Sequence, residues 1–239
     1  MTYNINAPAK AIRLFSASSI VAYSEGLSNQ NASVQVLVQN LAYDKQVYIH
    51  MKDATGQWRD VPLAYGGPAS AGFELWKGTF INKVGTPMDP IELAAKVAMG
   101  GQTYWDNNGG ANYRLRATQG TRLFGTQVLN SSGGLRSDGS FYVNIDVLAV
   151  GGAKRVQVVY ALDDRASTRT ADAKAQYPSY AAGGGGGVPS PNTYNVERWL
   201  VDLDATSASR ITYAIAYSVD GQTSWDNNFG QKYTVTRTL

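Results

Sequence analysis

Gly101-Gln-Thr-Tyr-Trp-Asp-Asn-Asn-Gly-Gly-Ala-Asn-Tyr113 returns 120 residues later as Gly221-Gln-Thr-Ser-Trp-Asp-Asn-Asn-Phe-Gly-Gln-Lys-Tyr233, with nine identities in thirteen positions. An internal echo of this length and quality points to a duplicated module. Arg13-Leu-Phe15 recurs in the same way as Arg122-Leu-Phe124, 109 residues on. Together the two echoes divide the chain into residues 1–120 and residues 121–239, each opened by the Arg-Leu-Phe triplet and closed by a strand after the longer motif. The unequal displacements give the second half extra residues, assigned to Ala181-Ala-Gly-Gly-Gly-Gly-Gly-Val-Pro-Ser-Pro-Asn192. That Gly- and Pro-rich stretch lacks the apolar side chains of a core. It falls inside the second half, where the first has the shorter segment Leu63 to Gly72, so residues 181–192 read as a mobile surface loop and not as a linker.

The segments around the motif read as strands. Arg210-Ile-Thr-Tyr-Ala-Ile-Ala-Tyr-Ser-Val219 is rich in β-branched and aromatic residues and ends in Asp220-Gly221, a type I′ hairpin signal. Its counterpart, Ile91-Glu-Leu-Ala-Ala-Lys-Val-Ala-Met99, has a composition that favours helix, but its place before the shared motif assigns it to strand as well. Val34, Val36 and Val38 alternate with polar neighbours, as do Val47, Ile49 and Met51, the period of a half-buried strand. Tyr142 to Val147 and Arg155 to Tyr160 match them in the second half. Each half then holds seven or eight short strands joined by turns. The fold class is all-β: two immunoglobulin-like antiparallel β-sandwich modules in tandem. Trp76 and Trp199, on predicted strands, are expected in the core. His50, on the face of Gln46 and Tyr48, is expected to be a solvated strand residue.

Composition removes several kinds of chemistry. The 239 residues suit two domains of about 120 residues, each large enough for a core. With no cysteine and a single histidine, disulfides, thiol nucleophiles and Cys- or His-rich zinc sites drop out, and a Ser-His-Asp triad would need His50. No cofactor and no metal are expected, because one Asp per motif offers little charge to a calcium ion. A net charge of +3, with no basic run, argues against nucleic acid. Lys10 and Arg13 interrupt any apolar leader at the N-terminus and no membrane span is visible, so the expected setting is intracellular, without a membrane partner.

A tryptophan followed by three short polar side chains makes a poor core element, since the carboxylate and amides need partners before burial. It suits a sugar: a pyranose lays its C–H face on an indole, while Asn and Asp take its hydroxyls in directed hydrogen bonds. Trp105, Asp106, Asn107 and Asn108, and Trp225, Asp226, Asn227 and Asn228, are the candidates. An Asx-rich turn, with the asparagines satisfying local backbone and Trp105 plugging the core, explains the same residues. Trp58, after Gly56 in a polar turn, reads as exposed.

Val36-Leu-Val-Gln-Asn-Leu-Ala-Tyr-Asp-Lys-Gln-Val-Tyr-Ile49, followed by Trp58 and then Tyr104-Trp-Asp-Asn-Asn-Gly-Gly-Ala-Asn-Tyr113, resembles the starch- and glycogen-binding module family 21. That family includes the starch-binding domains of fungal glucoamylases and the glycogen-targeting regions of protein phosphatase 1 regulatory subunits. The resemblance spans nearly all of the first half and, in the second, mainly its last third. It implies an immunoglobulin-like sandwich, no catalysis, and α-glucan bound on aromatic platforms. Carried over by position, it makes Trp58 and Trp105 the main stacking aromatics, with Asn107, Asn108, Asn112 and the motif's Tyr113 beside them, and Tyr43 and Tyr65 a second aromatic site flanked by Asn40 and Lys45. The sequence departs from the family at Ala94 and Ala214, where some starch-binding members hold an aromatic. In the second half Lys232 stands in place of Asn112, and no tryptophan answers to Trp58; Tyr177 and Tyr180 are the evident substitutes.

The expected function is non-catalytic binding of carbohydrate, α-glucan by resemblance, with a lectin for other glycans as the alternative. A glycoside hydrolase would need two carboxylates about 5–10 Å apart across a cleft, and Asp106 and Asp226 fall in different halves. A scaffold bringing a phosphatase to glycogen would need a docking motif, for which Arg155-Val-Gln-Val158 is the nearest match.

Overall fold

In Lys45–Lys52 every second side chain is buried, Val47, Ile49 and Met51 pointing inward while Tyr48, His50 and Lys52 face out. The same alternation buries Ile91, Leu93, Ala95, Val97 and Met99 in Ile91–Met99. That segment is a strand despite its Ala, Glu and Lys content, because pairing on both edges and burial of one face outweigh a helix propensity of a few tenths of a kcal/mol per residue. The computed structural model describes residues 10–70, 72–163, 165–181 and 187–237. It divides into two compact units, one running to Gly125 and including Ala181–Val188, the other Thr126–Tyr180 with the chain from Pro189 onward. Among the described residues no helix is long and apolar enough to cross a membrane.

The first unit holds β1 (Ile12–Ser24), β2 (Leu27–Gln39), β3 (Lys45–Lys52), β4 (Trp58–Pro62), β5 (Ala64–Pro68), β6 (Phe73–Val84), β7 (Ile91–Met99), β8 (Gln102–Asp106), β9 (Tyr113–Leu115) and β10 (Gly120–Leu123). Its sheets run β10-β1-β2-β6-β5 and β4-β3-β7-β8, with β9 also on β7. The second unit holds β11 (Val128–Leu135), β12 (Ser140–Leu148), β13 (Lys154–Leu162), β14 (Arg169–Asp172), β15 (Lys174–Ala175), β18 (Val196–Asp204), β19 (Arg210–Val219), β20 (Gln222–Asp226) and β21 (Tyr233–Thr236). Its sheets run β11-β12-β18-β15 and β14-β13-β19-β20, with β21 on β19. Between β15 and β18, β16 (Ser179–Ala181) pairs with β17 (Gly187–Pro189). All of the ladders in the two sandwiches are antiparallel, and each core lies between its two sheets. In the second unit Val143, Ile145 and Val147 of β12 meet Val156 and Val158 of β13 and Ile211 and Ile215 of β19.

Two expectations change. Arg122-Leu-Phe124 does not open the second half: Gly120–Leu123 is β10, antiparallel to β1 with Leu123 opposite Ser16. A three-residue echo carries less information than the free N–H and C=O groups of a sheet edge, which take the nearest strand offered. Nor is the stretch from Ala181 to Asn192 a loop throughout. Residues 182–186 lie outside the described ones, but Gly187–Pro189 is a strand, and Val188, Ser190 and Asn192 are buried. Ser190 Oγ accepts from the Arg198 N–H, and Asn192 Oδ1 accepts from the Tyr194 and Val196 N–H groups.

Where β2 and β6 set Leu37 opposite Leu75, both buried, β12 and β18 set Asp146 opposite Arg198. The Arg198 guanidinium grips both Asp146 oxygens at 2.7 and 3.2 Å, donates to Ser131 Oγ, and lies over the Tyr180 ring at 4.1 Å. Removing one member strands a buried charge, whereas removing both restores an apolar contact. Asp146→Leu alone is therefore expected to cost about 3–5 kcal/mol, and the pair Asp146→Leu with Arg198→Leu far less. Urea denaturation of the two variants checks this.

Candidate functional site

The outward face of β4-β3-β7-β8 carries the main aromatic cluster. Register places Trp58 of β4 opposite Lys52, and Asp60 opposite His50 of β3; His50 in turn faces Ala94 of β7, and Lys96 faces Trp105 of β8. Because Ala94 has no bulk, His50 and Trp105 meet across it. The imidazole stacks on Trp58 with ring centres 4.7 Å apart and planes at 2°, and it meets Trp105 edge-on at 5.2 Å. Trp58 and Trp105 stay 38% and 42% exposed, which leaves indole surface for a ligand. This agrees with the reading of both as surface residues.

Charged side chains hold these rings. His50 Nδ1 lies 2.7 Å from Asp60 Oδ1, and since an ionised carboxylate only accepts, Nδ1 carries the proton. Lys96 donates to Asp60 Oδ2 and sits 5.4 Å over the Trp105 ring. Lys52 sits 5.2 Å over Trp58 and donates to Glu92, which also accepts from the Asn112 amide. Burial pushes the Asp60 carboxyl up, but hydrogen bonds and charges from Lys96 and His50 outweigh it and hold it below the usual value. His50 is thus a member of the cluster and not a free strand residue. Its signal in the sequence was its parity with Tyr48 and Lys52; its neighbours across the sheet had no such signal.

The polar part of the motif serves the fold. Asp106, only 3% exposed, accepts from the Leu14 N–H at 2.7 Å and from the Tyr113 O–H, with Lys10 at 3.5 Å. That N–H lies beside a bulge in β1 between Leu14 and Ser16, and the carboxylate that takes it ties the two sheets. Asn107 Oδ1 caps a single turn (Asn108–Gly110) by accepting from the Gly110 N–H, and the Asn108 amide donates to the Asn112 carbonyl. Asp106 is therefore corrected from a sugar contact to a buried tie. Tyr113 is half-buried with its hydroxyl on that tie and its ring edge-on to Phe124, Asn107 is a cap, and Asn112 is held on Glu92. Asn108 alone of the motif's asparagines is exposed.

Of the second predicted cluster, Lys45 and Asn40 meet beside Glu74, with Tyr65 on Trp76. Lys45, whose side chain is 4% exposed, donates to Glu74 Oε1 and Asn40 Oδ1, so it is a clamp and not a free cation. The Trp76 indole N–H donates to Glu74 Oε2, and Tyr65, 55% exposed, meets Trp76 edge-on at 5.7 Å. Trp76 is half-buried on the outer face, not in the core: Phe73 and Leu75 point inward, so Glu74 and Trp76 share the other parity. Tyr43 is fully exposed. In the second unit Lys154, Glu197 and Trp199 repeat the arrangement, with Tyr177 bonded to Glu197, and Trp199 is half-buried as well.

The second hairpin turn has the same local form. Asp226 is buried and accepts from the Asn130 N–H beside a bulge in β11, from the Tyr233 O–H and from the Asn228 N–H; burial raises its carboxyl pKa above the usual range. Asn227 caps the turn and the Asn228 amide donates to the Lys232 carbonyl. Asp226 is corrected as Asp106 was. Trp225 is half-buried beside a hollow of about 200 Å³ that Asn227 and Lys232 also line.

Truncation should separate the two roles in the motif. Asp106→Ala leaves the Leu14 N–H and the Tyr113 O–H without an acceptor and is expected to cost about 2–4 kcal/mol, while Trp105→Ala costs less than about 1; chemical denaturation gives both numbers. Acid should release the cluster through Asp60. Its depressed native value means that its contribution is whole above the unfolded carboxylate range, near pH 4, and is lost as pH falls through the native value. Near-UV circular dichroism is expected to hold to about pH 4 and fall below it, and Asp60→Asn to show the lowered signal at neutral pH.

Residues 20–116 match the family described as carbohydrate/starch-binding module (family 21). Protein phosphatase 1 regulatory subunit 3B of Bos taurus is 36% identical over 106 residues, which is 40% of this chain and 37% of that protein. Glucoamylase 1 of Rhizopus oryzae is 28% identical over 112 residues, 44% of this chain and 18% of the enzyme. The chain thus spans about a third or less of the length of these curated relatives. Among solved structures, the starch binding domain of Rhizopus oryzae glucoamylase in complex with beta-cyclodextrin and maltoheptaose aligns with 46% of this chain and 95% of its own, at 24% identity and a TM-score of 0.34.

Proposed function

We propose that the chain is a non-catalytic carbohydrate-binding protein with two sugar-binding modules in tandem, the second divergent, and that α-glucan (starch, glycogen or a maltooligosaccharide) is its ligand. The observation that carries this is the pair of exposed indoles, Trp58 and Trp105, braced by one imidazole on a face that lies within the segment matching family 21. An indole held flat and half-exposed offers a sugar its apolar complement without the entropy of ordering a loose ring. Asn108 supplies hydroxyl contacts beside Trp105, and Tyr43 and Tyr65 form the second site, with Lys45 shaping it from below. In the second module Trp225, Asn227 and Asn228 take the corresponding roles. The shared strand order, the shared bulge and the shared buried Asp support the reading of two copies, with the boundary after Gly125. Two weak sites on one chain raise avidity for a polymer through effective concentration.

A lectin for other glycans remains the alternative, favoured by Ala94 and by the lack of a second-module partner to Trp58. The regulatory-subunit relatives raise another reading, a scaffold with a phosphatase as partner. Against it, Val156 and Val158 of Arg155-Val-Gln-Val158 are buried in β13, which leaves the stretch unavailable for docking. A hydrolase built on Asp106 and Asp226 would use two carboxylates that are buried and engaged by backbone N–H groups.

Isothermal titration with maltoheptaose tests the main reading. Heat is expected from the wild type and a loss of about two- to tenfold or more in affinity from Trp58→Ala or Trp105→Ala, from the roughly 0.5–1.5 kcal/mol that an aromatic contact contributes beyond its buried area. A flat trace from folded wild-type protein overturns the α-glucan assignment.

A further inference from the structure

We infer that the hollow beside Trp225 binds a sugar bearing an acid group, a sugar phosphate or a sugar carboxylate. The inference rests on the carbohydrate-binding reading above and narrows the ligand class for the second unit alone.

Equivalent register positions in the two units carry different side chains. On β3 and β7 of the first unit, His50 faces Ala94, with Lys52 two residues after His50, and Glu92 and Lys96 two residues either side of Ala94. On β13 and β19 of the second, Val159 faces Ala214, and the corresponding positions are Ala161, Thr212 and Ala216. Asp60, opposite His50, becomes Thr170, opposite Val159. Two ion pairs, Lys52 with Glu92 and Lys96 with Asp60, and the histidine between them are thereby replaced by small or uncharged side chains. Their volume is left as the hollow of about 200 Å³, lined by Val159, Ala214, Trp225, Thr212, Asn227 and Lys232 among others.

Lys232 carries the one charge among the described residues that line it. Its counterpart Asn112 donates to Glu92, but Thr212 stands where that carboxylate would be, and Lys232 belongs to none of the ion pairs among the described residues. Its backbone also holds the left-handed conformation of Asn112, φ 60° against 55°, a region that Asn adopts more readily than Lys. A cation beside an indole and apolar walls attracts an anion more strongly than one in open water. Trp225 offers a stacking face, and Thr212 and Asn227 offer hydroxyl and amide contacts. The first unit, with its charges paired, has no such bias.

The test uses the full chain carrying Trp58→Ala and Trp105→Ala, titrated calorimetrically with glucose 6-phosphate, glucuronic acid, glucose and inorganic phosphate. Either acidic sugar, or both, is expected to bind at least tenfold more tightly than glucose, with affinity falling as salt rises; the two arms tell phosphate from carboxylate. Lys232→Asn, which installs the first unit's own residue on the same backbone and so should fold, is expected to abolish the preference, and Trp225→Ala to abolish binding. Equal affinity for glucose, no binding of either acidic sugar, or inorganic phosphate bound as tightly as glucose 6-phosphate overturns the proposal. Maltoheptaose binding by the wild type, if present with any of these, leaves the carbohydrate reading standing; its absence as well removes both.

Discussion

Each sandwich is closed by a carboxylate that reaches from one sheet to the backbone of the other. Asp106, at the end of β8, accepts from the Leu14 N–H of β1, and Asp226, at the end of β20, does the same for Asn130 on β11. Each N–H lies beside a bulge and points away from the strand that its own strand pairs with, and burial makes an acceptor obligatory. The acceptor is fixed in turn by a tyrosine hydroxyl, Tyr113 or Tyr233, at the start of the next strand in sequence. So the Trp-Asp-Asn-Asn turn is held by its Asp and shaped by its first Asn, and the tryptophan one residue earlier is forced to the opposite side of the strand, where it faces out. Exposure of Trp105 is a consequence of burying Asp106.

The same parity argument governs the rest of the first face. In a strand, whatever sits two residues from an outward side chain also faces outward. His50, Lys52, Asp60, Lys96 and Glu92 are gathered on one surface in this way, and there the lysines and carboxylates neutralise one another while the histidine braces both indoles. A surface built so is neutral, rigid and aromatic. The second unit keeps the tryptophan and the turn, and loses the ions around them, so that its face has a hollow where the first has a filled platform. The two faces therefore differ in shape and in charge although the strands beneath them run in a like order, and fold alone does not fix a ligand.

The buried pair Asp146 and Arg198 illustrates the limit of reading a strand by hydrophobic alternation. It occupies the register positions of Leu37 and Leu75, and both ions are sealed by mutual contact, by Ser131 and by the Tyr180 ring. Period-two patterning identifies which face a residue takes but not whether a charge on that face has a partner across the sheet.

The sequence by itself determined the all-β class, the strands at Val34–Val38, Val47–Met51 and Ile91–Met99, the repeated hairpin turn, and the exposure of Trp58. These are local matters of period, turn chemistry and the cost of burying polar atoms. Tertiary structure decided what depends on neighbours distant in the chain. It turned Asp106, Asp226 and Tyr113 from ligand candidates into ties, buried Lys45 against Glu74, brought Trp76 and Trp199 out of the core, made His50 the brace between two indoles, and gave Arg122 and Leu123 to the first unit. Most of those outcomes rest on partners that meet only when strands and sheets come together, such as Leu14 with Asp106, Lys45 with Glu74 and His50 with Trp105, and no window of sequence contains both members of such a pair.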